Sequence, residues 1–147
     1  MMPTTNATVL AFDFGTQNIG VAVGNTLIRR AQPLVTIAAD SNAAALAEIA
    51  ALIEQWQPQA LVVGLPTHAD GAPHAMTAKA RRFARALADR FGLPVTRIDE
   101  RWTTEVAQSQ LNRERRGRAG RAHRDEIAAQ LILQAYFDER TGNPGAS

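Results

Sequence analysis

Val9-Leu10-Ala11-Phe12-Asp13-Phe14-Gly15-Thr16-Gln17-Asn18-Ile19-Gly20-Val21-Ala22-Val23-Gly24 is the stretch whose reading decides the fold. Apolar residues run unbroken up to Asp13 and resume after Gly20, which is the pattern of a buried strand, a tight turn and a second strand. One carboxylate interrupts the first of these strands. An ionised Asp left alone there would cost several kcal/mol or take up a proton, so its presence implies a cation, backbone N–H groups or a ligand close by. Gly15 and Gly20 flank the turn and let a backbone or a phosphate approach. The expectation is that Asp13 is a metal ligand at the centre of a sheet.

Outward from this hairpin, Arg29 to Ile37 supplies a third strand that buries Leu34, Val35 and Ile37, with Pro33 marking it as an edge or irregular strand. Asp40-Ser41-Asn42 offers N-cap chemistry for a helix over Ala43 to Gln57, where Leu46, Ile49, Ala50 and Ile53 recur at helical spacing and Pro58 ends the run. Ala60-Leu61-Val62-Val63-Gly64 is a short apolar strand of the kind enclosed in a parallel sheet. The loop from Gly64 to Pro73 then stands at that strand's C-terminal end, where open α/β sheets keep their ligands. Thr77 to Phe91 reads as a helix, with Ala80, Phe83, Ala84 and Leu87 on one side, Lys79, Arg82, Ala86 and Arg90 towards another, and Gly92 as its stop.

Pro94 to Asp99 makes a fifth strand that runs into Glu100-Arg101-Trp102-Thr103-Thr104. A helix over about Thr104 to Asn112 and a last one over about Arg124 to Arg140 complete the pattern. The fold class is α/β: a mixed five-stranded sheet, three antiparallel strands followed by parallel ones, with helices on both faces. A single domain is expected over residues 1–140, and Thr141 to Ser147, with its glycines and proline, is expected to be a disordered tail.

A chain of 147 residues with 46% hydrophobic residues has the size of one domain with a real core. The absence of cysteine excludes disulfides and thiolate metal sites. No apolar run approaches a membrane span, and Met1 to Asn6 lacks the basic-then-apolar order of a signal peptide, so a cytoplasmic setting is expected. The net charge of +2 says little, but its distribution says more. Arg113, Arg115, Arg116, Arg118, Arg121 and Arg124 fall in one short segment with Gly117 and Gly120, while Lys79 is the chain's only lysine. Guanidinium binds phosphate through two parallel hydrogen bonds, so Arg113, Arg115, Arg116 and Arg118 are candidate contacts to a nucleic-acid backbone.

In the last helix Glu126, Gln130, Gln134 and Asp138 recur every four residues and mark the expected solvent face. At about 100° per residue, Asp125 lies roughly 160° from the middle of that face. It therefore groups with Ala128, Ala129 and Ile132 towards the protein, in the helix's first turn, where the dipole favours negative charge. Its alternative role is a cap with no chemistry. Glu100 follows Ile98 on one side of the fifth strand, level with the loop after Gly64, and Asp99 competes from the other side. An all-oxygen donor set of Asp13, Glu100 and Asp125 suits Mg²⁺ or Mn²⁺ and argues against zinc. With arginines nearby it fits phosphodiester hydrolysis by water activated between two ions about 4 Å apart.

Asp13-Phe14-Gly15 with Asn18-Ile19-Gly20-Val21-Ala22, Val62-Val63-Gly64-Leu65-Pro66, Asp70-Gly71, Asp99-Glu100-Arg101-Trp102-Thr103-Thr104 and the run from Asp125 to Gln134 resemble, in order and spacing, the YqgF (RuvX) family. The resemblance covers about Val9 to Phe137. It implies an RNase H-like fold related to the RuvC resolvases, a bacterial cytoplasmic setting and nuclease activity in 5′-end processing of the small-subunit (pre-16S) ribosomal RNA precursor. Holliday junction resolution on branched DNA is the alternative activity. Carried over residue by residue, the acidic positions are Asp13, Glu100 and Asp125. Gln17 stands where many relatives carry Lys or Arg, and Trp102 where Leu is usual. The arginine segment falls where relatives have a basic loop.

Two other classes compete with the nuclease. One is a nucleic-acid-binding assembly factor without catalysis. The other is an ATPase of the actin and sugar-kinase type, whose phosphate loop resembles Asp13-Phe14-Gly15-Thr16 followed by Gly20 but which needs two such domains. His68, His74 and His123 are ordinary surface histidines on this reading, with His123 the better proton shuttle, and Trp56 and Trp102 are expected to pack. No dimer stripe is visible, so a monomer or weak homodimer is expected.

Overall fold

Alternation along β1 (Thr8–Phe14) sorts the core into two layers. Leu10 and Phe12 are buried on one side of the sheet, and Val9 and Ala11 on the other. β2 (Asn18–Asn25) pairs with β1 antiparallel from Thr8↔Asn25 to Phe14↔Ile19, and β3 (Arg30–Ala38) pairs antiparallel with β2. β4 (Ala60–Leu65) adds in parallel to the other side of β1, and β5 (Val95–Asp99) in parallel to β4. The strand order β3-β2-β1-β4-β5 is the mixed sheet expected from the sequence. The computed structural model describes residues 7–15, 17–38, 41–65, 75–99 and 121–141, with backbone alone at 42, 75–76, 99, 121–125 and 140–141.

Both turns of the antiparallel half have a local cause. At Gly15 an added Cβ would lie 2.7 Å from the carbonyl oxygen of Asn18, so the turn from β1 to β2 closes too tightly for a side chain. Between β2 and β3, Asn25 Oδ1 accepts from the N–H groups of Leu27 and Ile28, at 2.7 and 3.3 Å, and Arg29 takes the left-handed conformation with φ 59°. β3 is an edge strand, as Pro33 predicts. Its register slips where Val21 pairs with Val35 and Ala22 with Pro33, which leaves Leu34 as a bulge.

α1 (Asn42–Trp56) starts at Ser41, whose Oγ accepts from the N–H of Ala44 at 3.1 Å, and ends on left-handed Gln57. α2 (Ala75–Phe91) ends at Gly92, with φ 66° and its N–H on the carbonyl of Ala88. Ala45 and Ile49 of α1 and Phe83, Ala84 and Leu87 of α2 cover the Leu10–Phe12 side, and Trp56 packs at its margin as expected. α3 (Arg121–Thr141) covers the Val9–Ala11 side through Ala129, Ile132, Leu133, Tyr136 and Phe137. None of the helices among the described residues is long and apolar enough to cross a membrane.

The structure corrects the sequence reading at several points. α2 begins at Ala75 and α3 at Arg121, two and three residues earlier than expected, because Ala, Met and Arg form helix well but carry no apolar periodicity. Thr141, expected to open the tail, closes α3. The row Glu126, Gln130, Gln134 does not face solvent. Gln134 Oε1 accepts from the N–H of Ala31 at 3.0 Å, while Gln130 Nε2 donates to the carbonyl of Ala31 and Gln134 Nε2 to that of Arg29, each at 3.1 Å. These glutamines satisfy the outer edge of β3, and Asp138 alone in the row is exposed. The helix expected over Thr104 to Asn112 and the tail at 142–147 lie outside the described residues.

Candidate metal centre at the end of the sheet

Asp13 is the penultimate residue of β1, on the same side as Val9 and Ala11 and therefore on the side that α3 covers. Its neighbours in register are Gly20 on β2 and Gly64 on β4. Continued across the sheet, the row reads Thr36, Gly20, Asp13, Gly64, Ile98. A part-buried carboxylate thus stands between two strands that put no side chain beside it. Residues 20 and 64 are both buried, so any side chain there would take space next to the carboxylate.

The level of α3 against this row is set from β3. Thr36 Oγ1 donates a long hydrogen bond, 3.5 Å, to Glu126 Oε2. Thr36 lies two strands from Asp13, about 10 Å across the sheet. The start of α3 therefore crosses the sheet at the Asp13 row, and the helix runs from there to Tyr136 and Phe137 over Ala31 and Val9. Asp125 precedes Glu126 and lies one turn before Ala129, which is fully buried. Because α3 begins at Arg121, Asp125 is in the second turn and not the first, and no acidic residue occupies the first turn. The capping role considered for Asp125 loses its basis, as does the dipole argument for its charge.

The remaining expected site residues are reached unevenly. The backbone of Asp99 closes β5 opposite Leu65, and Ile98 beside it is buried in the layer under α3. Glu100, Arg113, Arg115, Arg116 and Arg118 lie outside the described residues, as do His68, His74 and Trp102, while Asp125 and His123 are described by their backbone alone. Among the described residues no group of three or more His, Cys, Asp or Glu side chains stands close enough to hold a metal. The sequence reading missed Thr36 and Glu126, because nothing in a one-dimensional pattern pairs residues so far apart, and it took Gly64 as a strand end, a loop start and part of a family motif without placing it beside Asp13.

The family model described as "RuvX: Holliday junction resolvase" matches residues 7–139. A relative from Dechloromonas aromatica, provisionally named a pre-16S rRNA nuclease, is 52% identical over 132 residues, covering 89% of this chain and 90% of its own. Its counterpart in Nitrosomonas europaea, provisionally named in the same way, is 51% identical over 141 residues, covering 94% of each chain. Among solved structures, RuvC of T. thermophilus in complex with a Holliday junction substrate superposes with a TM-score of 0.61 at 16% identity, over 93% of this chain and 97% of that one. The yeast mitochondrial Holliday junction resolvase Ydc2 gives 0.55 at 12% identity, over 90% and 78%. The two structures share the RNase H-like architecture with this protein. Matched over almost its full length by one family model, and identical at half its positions to those relatives, the chain belongs to the RuvX family.

Proposed function

We propose that this protein is a divalent-metal-dependent nuclease that hydrolyses phosphodiester bonds in structured RNA, acting in the cytoplasm in 5′-end processing of pre-16S rRNA. The observation that carries the reading is the row in which Asp13 is flanked by Gly20 and Gly64 and met by the start of α3 through Glu126 and Thr36. RNA is favoured over branched DNA because the relatives at half identity carry the rRNA designation; the family description names Holliday junction resolution, and the solved junction resolvases share the fold at low identity.

Asp13, Glu100 and Asp125 would hold Mg²⁺ or Mn²⁺. Asp13 fits that role as a part-buried carboxylate with glycine on either side. Asp125 fits it because it continues the buried stripe Ala129, Ile132, Tyr136 back by one turn. Glu100 is assigned to it from the sequence, as the acid that directly follows β5. The ion, when bound, supplies Lewis-acid activation of water and of the phosphoryl oxygen. The glycines leave room for the phosphate, the aliphatic layer under α3 excludes bulk water, and Arg113, Arg115, Arg116 and Arg118 hold the backbone on either side of the bond that breaks. One nuclease domain spans residues 1–140 and works as a monomer or weak homodimer.

The test compares wild type with Asp13→Asn in Mn²⁺ on folded RNA, single-stranded RNA and a four-way DNA junction. Cleavage of folded RNA that is lost in the variant while binding persists supports the reading. Cleavage confined to the junction moves the substrate to DNA, and binding with no metal-dependent cleavage of any substrate makes the protein an assembly factor.

A further inference from the structure

The outer side of α2, on the far side of the sheet from α3, carries charge that the proposed chemistry leaves unused. Ala80, Phe83, Ala84 and Leu87 bury one side of this helix, and Lys79, Arg81, Arg82, Arg85 and Arg90 are exposed on the rest. Its one acid, Asp89, is exposed near the far end, so positive charge concentrates over the first half. Among the described residues Lys79, Arg81, Arg82 and Arg85 meet no carboxylate. Lys79 and Arg82, Arg82 and Arg85, and Arg81 and Arg85 are like-charged neighbours at three- or four-residue spacing, an arrangement that destabilises a helix on its own. A merely solvated face is better served by acids interspersed among the bases.

The height of this face is fixed by aromatic packing. The Phe83 ring lies 4.8 Å from that of Phe14, the residue after Asp13. Lys79 and Arg82 are therefore carried at the level of the candidate centre but on the opposite layer. From Lys79 to Arg90 the face extends about 16 Å along the axis, long enough to meet several successive phosphates of one strand.

We infer that the outer face of α2 is a second phosphate-backbone surface, which holds a segment of the nucleic acid beyond the bond being cut. The inference rests on the nuclease reading above. A short single strand filling the centre stays on the α3 side, whereas a folded RNA with a second helical arm passes the C-terminal ends of β1 and β4 and reaches Lys79, Arg81, Arg82 and Arg85.

The experiment is equilibrium binding of the full chain, without divalent metal and at several salt concentrations, to a two-armed folded RNA and to a short single-stranded RNA. Combining Arg81→Gln, Arg82→Gln and Arg85→Gln should lower the salt slope for the folded RNA by about 2 to 3 and its affinity at low salt at least about tenfold, leaving the short strand within about twofold. The triple Lys variant at the same positions should restore the slope, and the circular dichroism of both should match wild type. An unchanged slope on folded RNA, or an equal loss on both RNAs, overturns the inference. So does wild-type binding of polyglutamate that the Gln variant loses, which would mark a surface for an acidic polypeptide. If the Gln variant binds folded RNA normally while Asp13→Asn abolishes cleavage, the α2 surface alone is refuted; if wild type binds neither RNA, the nuclease reading falls with it.

Discussion

The two faces of the sheet come from the same strands yet are built to different thicknesses. Towards α1 and α2 the strands present Leu10, Phe12, Val21, Leu61 and Val63, and the helices answer with Ile49, Phe83 and Leu87. Towards α3 they present Ala11, Ala22, Gly24 and Ala31 beside Val9, Val62 and Ile98, and the helix answers with Ala129 beside Ile132, Leu133, Tyr136 and Phe137. A fully buried Leu or Phe contributes about 1.5–3 kcal/mol and an Ala much less, so the thick face, with fewer alanines, supplies the larger share of the stabilisation. The thin face gives that up for proximity, which brings α3 close enough for its side chains to reach the edge of β3 and its first turns to reach the Asp13 row. The larger share of the bulky apolar side chains and the proposed chemistry thus fall on opposite sides of one sheet.

The largest expected effect breaks the thin face at its polar end. Asp13→Asn removes one charge and little else, and should reduce metal-dependent cleavage about 1,000-fold, roughly 4 kcal/mol in the barrier, with the thermal midpoint unchanged or raised. Single-turnover cleavage of folded RNA in Mn²⁺, alongside a melting curve, measures both. Chelation of the metal by EDTA should reproduce the loss in wild type and leave the midpoint of Asp13→Asn where it was.

At the opposite end of the same face, Gly24→Ala tests how close the approach is. An added Cβ there would sit 2.6 Å from a carbon of the Phe137 ring and 2.9 Å from the carbonyl oxygen of Arg30. Phe137 is 2% exposed and has nowhere to retreat. A loss of about 3 kcal/mol by urea denaturation is expected, and a loss under about 1 would mean that the layer is loose. Combining Gln130→Ala with Gln134→Ala removes two hydrogen bonds to Ala31 of β3 and one to Arg29 in the turn before it, should cost about 2 kcal/mol, and should promote concentration-dependent association through the exposed strand edge, visible by light scattering. The smallest effect belongs to the thick face. Ser41→Ala removes the cap of α1, should cost about 1 kcal/mol, and should leave cleavage unaltered.

The sheet was legible because its strands announce themselves. Val9 to Phe12 and Ala60 to Val63 are short apolar runs between turn residues, and Pro33, Ser41 and Gly92 each take up the edge, cap or stop that their chemistry suggests. The polar row of α3 was not legible. Glu126, Gln130 and Gln134 look like a solvent face because helical spacing distinguishes apolar from polar, and a glutamine bonded to a strand edge looks the same as one bonded to water. Asp13 was readable as a polar interruption of a greasy strand, but its flanking glycines acquire meaning only through register, and register is a property of paired strands. Periodicity grouped Asp125 with Ala129, one turn on, and placed it wrongly in the first turn, since Arg121 to Arg124 give no signal of where the helix begins.

The edge of β3 sealed by Gln130 and Gln134 has a consequence for how the chain is made. β1 to β5 leave the ribosome before α3 does, so until residues 126–137 emerge, Val9, Ala11, Ala22 and Val62 have no cover from that helix and the backbone of Ala31 lacks both glutamines. The nascent sheet is open to mispairing during that interval and is closed by the helix that also carries Asp125. The protein therefore protects itself from aggregation and assembles its proposed catalytic centre in a single late docking event.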